Sequence, residues 1–206
     1  MKVRPASIFV VDDDATLLYM LSSTLRTAGY RVEAFEHPHA LLARLSPADR
    51  GVLVLDLKMP GLSGLELQSA LHERGVSMPM IFVSGRADIP AAVAAMKQGA
   101  VDFLVKPIMA DELLAVVARA VQRDAELAEK RGTERLSTEN WATLSGREQE
   151  VCRLAAQGLI IKQIAANLGT SESTVQLQRA RAWKKLGIDS TVELVRIVAL
   201  VAQTRK

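Results

Sequence analysis

Through residues 1–123, short apolar blocks alternate with longer stretches in which apolar residues recur every three or four positions. The short blocks are Ile8–Val11, Arg31–Ala34, Val52–Leu55, Met80–Ser84 and Asp102–Val105. Their length and their β-branched and aromatic content predict strands. Helical periodicity covers Ala15–Ala28, Pro38–Leu45, Leu65–Glu73, Ala91–Gln98 and Asp111–Arg123, with Gly29 and Gly99 as stops. Regular alternation of strand and helix predicts an α/β fold, a doubly wound five-stranded parallel sheet. Ile8–Val11, Val52–Leu55 and most of Met80–Ser84 read as continuous apolar runs, as expected when helices cover both faces of a sheet.

From Asp124 to Asn140 the pattern turns polar, with Glu126, Glu129, Lys130, Arg131, Glu134 and Arg135. This segment is either a frayed linker or a solvated continuation of the preceding helix, and Gly132 favours a break. After Trp141 only short helices are predicted. Ser145-Gly146-Arg147-Glu148 is a capping box that opens a helix through Val151, Leu154 and Ala155, closed by Gly158. Ile161–Leu168 follows and stops at Gly169; Ser171 then caps a helix that runs to Leu186 and Gly187. A last helix spans Thr191–Ala202. Helix, tight Gly-containing turn and longer capped helix form a helix-turn-helix pattern. The predicted organisation is an α/β domain over 1–123, a connector over 124–140 and a small all-α domain over 141–206.

Charge separates these segments further. Residues 1–123 carry 13 basic and 13 acidic side chains, residues 124–140 carry 3 and 5, and residues 141–206 carry 10 and 5. The basic tail suggests a polyanion-binding module, although a solvated basic helix face has the same composition. No apolar run approaches the ~20 residues of a membrane-spanning helix. Met1–Pro5 lead into a short apolar run ending in acid, unlike a secretory signal. A single cysteine, Cys152, precludes an internal disulfide framework and points to a reducing cytoplasm.

In parallel α/β sheets, ligands bind at the carboxyl ends of the strands. Those ends carry Asp12, Asp13 and Asp14 after the first strand and Asp56 after the third. Ser84 follows the fourth strand and Lys106-Pro107 the fifth. Converging carboxylates repel one another, and a hard divalent cation such as Mg²⁺ relieves that repulsion while leaving room for phosphate oxygens. Asp14 is expected to cap the first helix instead.

Val11-Asp12-Asp13-Asp14, Leu55-Asp56-Leu57-Lys58-Met59-Pro60-Gly61, Val83-Ser84-Gly85, Gly99-Ala100-Val101-Asp102-Phe103 and Lys106-Pro107 resemble the receiver domain of two-component response regulators, a flavodoxin-like fold. Asp88-Ile89-Pro90 and Ala95-Met96-Lys97 bring the resemblance nearest to the FixJ type. The resemblance implies that Asp56 takes a phosphoryl group from a histidine kinase. It implies that Asp13, Asp56 and the carbonyl of Lys58 hold Mg²⁺, with Asp12 as a second ligand or acting through water. Lys106 would pair with the phosphoryl oxygens and Ser84 would hydrogen-bond them, letting Phe103 rotate inward. Family members often carry threonine where this chain has Ser84, and serine makes a less sharply two-state switch.

Leu144–Val151, Ile164–Leu168, Ser173-Thr174-Val175, Lys185-Leu186-Gly187 and Glu193-Leu194-Val195 resemble the LuxR-type helix-turn-helix. The recognition helix would be Glu172–Leu186, with Val175, Ala182 and Leu186 facing the core. Gln176, Leu177, Ala180 and Lys184 would enter the major groove of double-stranded DNA. Lys162, Thr174, Arg179, Arg181 and Lys185 would contact phosphates. Many members have lysine at the position of Gln176 and histidine at that of Gln178. Leu177 either touches a thymine methyl or packs inward. On the last helix, Val192, Val195 and Ala199 form one apolar side and Leu194, Ile197 and Val201 another. A small domain covers one such side, so the second suggests a homodimer formed on activation. Trp141, Trp183 and Cys152 are expected to serve packing.

Two other functions are compatible with parts of this pattern. A phosphorylation-independent DNA-binding regulator would use the receiver as a dimerisation module, which leaves the acid–hydroxyl–lysine set without purpose. A metal-dependent phosphohydrolase needs a second acid close behind its nucleophile, and Leu57 and Lys58 stand there instead. The chain is therefore expected not to be an enzyme. Gln176 pairs bidentately with adenine, so binding-site selection should return an A·T pair at the base it contacts. A G·C pair at that position contradicts the assignment.

Overall fold

The computed structural model describes residues 6–85 and 89–203. Met1–Pro5 and Asp88, on which parts of the sequence reading rest, lie outside the described residues. By contacts the chain divides into two compact units, Met1–Leu127 and Ala128–Lys206.

In the first unit, β1 (Ser7–Val11), β2 (Arg31–Phe35), β3 (Val52–Asp56), β4 (Met80–Ser84) and β5 (Asp102–Val105) form one parallel sheet in the order β2-β1-β3-β4-β5. Helices α1 (Ala15–Thr27), α2 (Pro38–Arg44), α3 (Gly64–Glu73) and α4 (Ile89–Lys97) connect the strands, and α5 starts at Ala110. Successive strand residues point to opposite faces. Phe9, Val11, Leu53, Leu55 and Phe82 thus pack with Leu41, Leu42, Leu67, Leu71 and Ala95 of α2, α3 and α4. Ile8, Val10, Val52, Val54, Ile81, Val83 and Leu104 pack on the other side with Leu18, Leu21 and Leu25 of α1 and Leu113, Val116 and Val117 of α5. Burial on both faces explains why β3 and β4 carry no polar alternation, whereas the edge strand β2, with Arg31 and Glu33, does.

The strand order reverses direction at β1, which lies between β2 and β3. At such a switch point the connections leave toward opposite faces and open a crevice at the strands' carboxyl ends. Val11 aligns with Leu55, Asp56 with Val83 and Ser84 with Val105, so the polar residues that end the strands gather along one edge. Asp14 caps α1 by accepting the N–H groups of Thr16 and Leu17, as its position predicts.

Helix α5 continues to Ala142, running through Gly132 without the break that glycine favoured. An interior glycine costs a helix only ~1 kcal/mol. Ion pairs one turn apart, Arg123–Glu126, Lys130–Glu134 and Arg135–Glu139, support the polar stretch. Among the described residues no helix is long and apolar enough to cross a membrane.

The second unit contains the end of α5 and helices α6 (Gly146–Ala156), α7 (Ile161–Leu168), α8 (Glu172–Leu186) and α9 (Thr191–Gln203). Trp141, Cys152, Ala182, Leu186, Leu194, Ile197 and Val201 form one core cluster, and Val151, Ile164, Ala165 and Val175 form another. Burial pushes the Cys152 thiol up to about 11, which keeps it in the unreactive protonated form. Gly169 and Gly187 end α7 and α8 in the left-handed conformation, at φ 61° and 69°.

Glu148 links capping to packing. Its carboxylate accepts the Ser145 N–H at 2.7 Å to complete the capping box of α6, and it lies 2.7 Å from the Lys185 ammonium of α8. The Lys185 hydrogen bond outweighs burial and holds this carboxyl below the usual glutamate range. A depressed folded-state pKa adds stability above the unfolded glutamate range, and that stability is lost as pH falls through the folded value. Lys185→Met should therefore destabilise this unit by about 1–2 kcal/mol at neutral pH, allowing for solvent around the lysine. It should also flatten the loss of stability in mild acid. Both tryptophans, Trp141 and Trp183, lie in this unit, so fluorescence-monitored urea unfolding reads it directly. An unchanged midpoint would rule the pair out as a structural tie.

Candidate functional site

The acidic edge is organised by one cation. Lys106, at the end of β5, places its ammonium 2.5 Å from Asp56 Oδ1 and 3.1 Å from Asp12 Oδ2. Both carboxylates are buried, at 4 % and 1 % exposure, at the ends of β3 and β1. Their remaining oxygens accept backbone N–H groups, with Lys58 donating to Asp56 Oδ2 at 2.7 Å and Asp14 to Asp12 Oδ1 at 2.9 Å. The backbone N–H of Lys106 donates to the Ser84 carbonyl at 2.8 Å, which ties the end of β5 to β4.

Electrostatics follow from this burial. Desolvation pushes the Asp56 carboxyl above the usual aspartate range; the Lys106 hydrogen bond and charge offset part of that rise, and the Asp12 charge adds to it. Burial draws the Lys106 ammonium down, but hydrogen bonds to Asp56 and Asp12 more than reverse this and hold it charged. The site is thus a pair of like charges at close quarters, held by one shared counter-charge.

Ser84 is buried at the end of β4. Phe103, paired in register with Phe82, is half-buried against the cluster between the sheet and α2, α3 and α4. Asp13 is exposed beside Asp12. Among the described residues no three His, Cys, Asp or Glu side chains converge closely enough to hold a metal. The donors nevertheless fit a hard cation, because Mg²⁺ commonly binds through one or two carboxylates with waters and substrate phosphate completing its shell. Asp12 and Asp56 supply such a pair.

Gly64 belongs to this site although the sequence reading passed over it. It opens α3 directly against β3, donating its N–H to the Leu57 carbonyl at 3.0 Å. A Cβ there would stand 2.5 Å from the Asp56 carbonyl oxygen. Only glycine allows α3 to start this close to the Asp56 backbone. The signal was a glycine immediately after the Ser63 cap, where a stronger helix former would otherwise be favoured.

In the second unit, α8 separates into two faces. Val175, Ala182 and Leu186 are buried. Gln176, Leu177, Ala180 and Lys184 are all exposed, so Leu177 does not pack inward. Arg181 and Lys162 are exposed, and Thr174 is half-buried with its hydroxyl 2.8 Å from that of Ser171, the cap of α8. Lys185 is engaged with Glu148, a partnership the sequence did not signal. Arg179 is half-buried over the Trp183 ring. On α9, Leu194, Ile197 and Val201 are buried while Val192, Val195 and Ala199 remain exposed.

Residues 8–118 match the response regulator receiver domain, and residues 142–198 match the bacterial regulatory proteins of the luxR family. Nodulation protein W of Bradyrhizobium diazoefficiens is 42 % identical over 192 residues, covering 93 % of this chain and 85 % of that protein. The transcriptional regulatory protein FixJ of Azorhizobium caulinodans is 38 % identical over 193 residues, 94 % of this chain and 92 % of that one. Among solved structures, the response regulator StyR shares 39 % identity at a TM-score of 0.77, covering 95 % of this chain and 99 % of that one. Full-length FixJ from B. japonicum shares 34 % identity at a TM-score of 0.60, covering 98 % and 99 %. With a receiver sheet ending in the Asp12–Lys106–Asp56 cluster and a helix-turn-helix unit following it in the sequence, the chain belongs to the two-component response regulators with a LuxR-type DNA-binding domain.

Proposed function

We propose that a partner histidine kinase phosphorylates Asp56, and that this modification controls dimerisation and sequence-specific DNA binding by the C-terminal helices. The observation that carries the reading is the Lys106 ammonium shared between the buried Asp12 and Asp56 carboxylates. A cation already placed at a desolvated carboxylate is what phosphoryl transfer asks of a protein, since that chemistry depends on positioning and charge neutralisation. Residues 1–123 act as the receiver, 124–140 as a helical connector and 141–206 as the output domain of a cytoplasmic regulator.

An Asp56 carboxylate oxygen attacks the phosphorus of the phosphohistidine. The new O–P bond forms as the P–N bond breaks, the imidazole leaves with its electron pair, and an acyl phosphate remains on Asp56. Asp12, Asp13, Asp56 and the carbonyl of Lys58 would hold Mg²⁺, which when bound neutralises charge on the phosphoryl oxygens. Lys106 transfers its hydrogen bond from the carboxylate to a phosphoryl oxygen. Ser84 follows with its hydroxyl, and Phe103 moves into the space this vacates.

The exposed Val192, Val195 and Ala199 side of α9 supports the dimer, because an apolar stripe left uncovered on a small domain favours a second copy. A two-fold dimer also presents two copies of α8 to two half-sites. Lys162, Thr174, Arg179, Arg181 and Lys185 are assigned to phosphates, and Gln176, Leu177, Ala180 and Lys184 to base edges.

Acetyl phosphate with Mg²⁺ should add the mass of one phosphoryl group to the wild type and none to Asp56→Ala. The modified wild type should sediment as a dimer where the unmodified protein is monomeric. An unmodified wild type, or a modified Asp56→Ala, contradicts the assignment of the nucleophile.

A further inference from the structure

Three arginines lie over aromatic rings among the described residues. Arg44 stands 5.7 Å from the centroid of Phe9, Arg153 stands 5.6 Å from Trp141, and Arg179 stands 4.4 Å from Trp183. The first two have donors committed elsewhere. Arg44 binds Glu33 and Asp49, and Arg153 donates to Gln149 Oε1. Arg179 lies nearest its ring, and no described residue accepts a hydrogen bond from it or forms an ion pair with it. The Trp183 indole N–H is buried and has no hydrogen-bond partner among the described residues, while its ring face meets the Arg179 guanidinium.

Arg179 and Trp183 are four residues apart on α8 and therefore neighbours on one helix side. With Ile161 at the start of α7 they line a shallow hollow that also takes in Gln176 and Ala180 of the exposed stripe. Lys162 borders the adjoining hollow, as does Glu172, which makes no ion pair with Arg179. An arginine engages a ring through its planar face and keeps its N–H edge for a ligand. A planar, forked set of donors without an acceptor matches the oxygens of a phosphate. A freely rotating arginine loses rotamer freedom on binding, whereas one already stacked loses less.

We infer that Trp183 is a positioning residue for DNA binding, holding the Arg179 guanidinium ready for one backbone phosphate beside the groove that α8 enters. The inference rests on the reading of α8 as the recognition helix. Its ligand is double-stranded DNA and its contact is indifferent to base sequence, so the contact sets how firmly α8 is seated rather than which bases it reads.

The test uses the full chain with Mg²⁺ and beryllofluoride and a random-sequence duplex, with affinity measured over a range of salt concentrations. Arg179→Ala should lower the slope of log affinity against log salt by about one. Trp183→Leu should weaken binding about three- to fivefold, while Trp183→Phe, which keeps a ring face, should recover most of the loss. In an Arg179→Ala background, Trp183→Leu should cause no further loss. Equal weakening by Trp183→Leu in both backgrounds would show a packing role and overturn the inference. Arg179→Ala that leaves affinity and slope unchanged, while Lys184→Ala weakens binding, overturns this inference and spares the reading of α8. If Lys184→Ala and Arg179→Ala are both without effect, the assignment of α8 fails and takes the inference with it.

Discussion

Two carboxylates buried at the ends of neighbouring parallel strands would drive those strand ends apart, and the ammonium of Lys106 lets them remain. Its contacts of 2.5 Å to Asp56 and 3.1 Å to Asp12 join residues carried by three different strands. The strand order β2-β1-β3-β4-β5 sets β1 and β3 side by side, and Asp12 and Asp56 come from those two ends. β5 lies further along the sheet, yet its lysine reaches back across the edge, anchored by the Lys106 N–H on the Ser84 carbonyl. Anything that binds Asp56 as a new anion must compete for that ammonium. Lys106 thus joins Asp56 to Asp12, to the end of β4 and to the start of the loop after β5.

The second unit depends on a pairing of a different kind. Glu148 caps α6 and holds Lys185 at the end of α8, so the entry of one helix fixes the exit of another. With Val175, Ala182 and Leu186 buried, that fixes which side of α8 stays outside. The exposed stripe of Gln176, Leu177, Ala180 and Lys184 is a consequence of that packing. Only Lys184 in this stripe is charged, and Lys162, Arg179 and Arg181 stand on its flanks.

Most of this architecture was legible in the sequence. The strands stood out because both sheet faces are covered, which leaves runs such as Val52–Leu55 apolar throughout. The short helices carried their own boundaries in Ser145, Ser171, Gly169 and Gly187. The site acids and Lys106 were legible as the residues that end strands. What escaped was non-local or ambiguous by nature. Pairing of Lys185 with Glu148 spans 37 residues and leaves no periodic trace. The role of Gly64 depends on the Asp56 backbone lying beneath it. The polar stretch after Asp124 carries the same residues whether frayed or helical, and only its ion pairs one turn apart distinguish the two.

The central claim is that occupation of the Asp56 site governs DNA binding. Selection from a random duplex library by the full chain, with and without Mg²⁺ and beryllofluoride as the phosphoryl mimic, tests it most directly. The account predicts that a sequence of two related half-sites is enriched with the mimic and not without it, and that Asp56→Ala abolishes the difference. Equal enrichment of the same sequences in both conditions would contradict it.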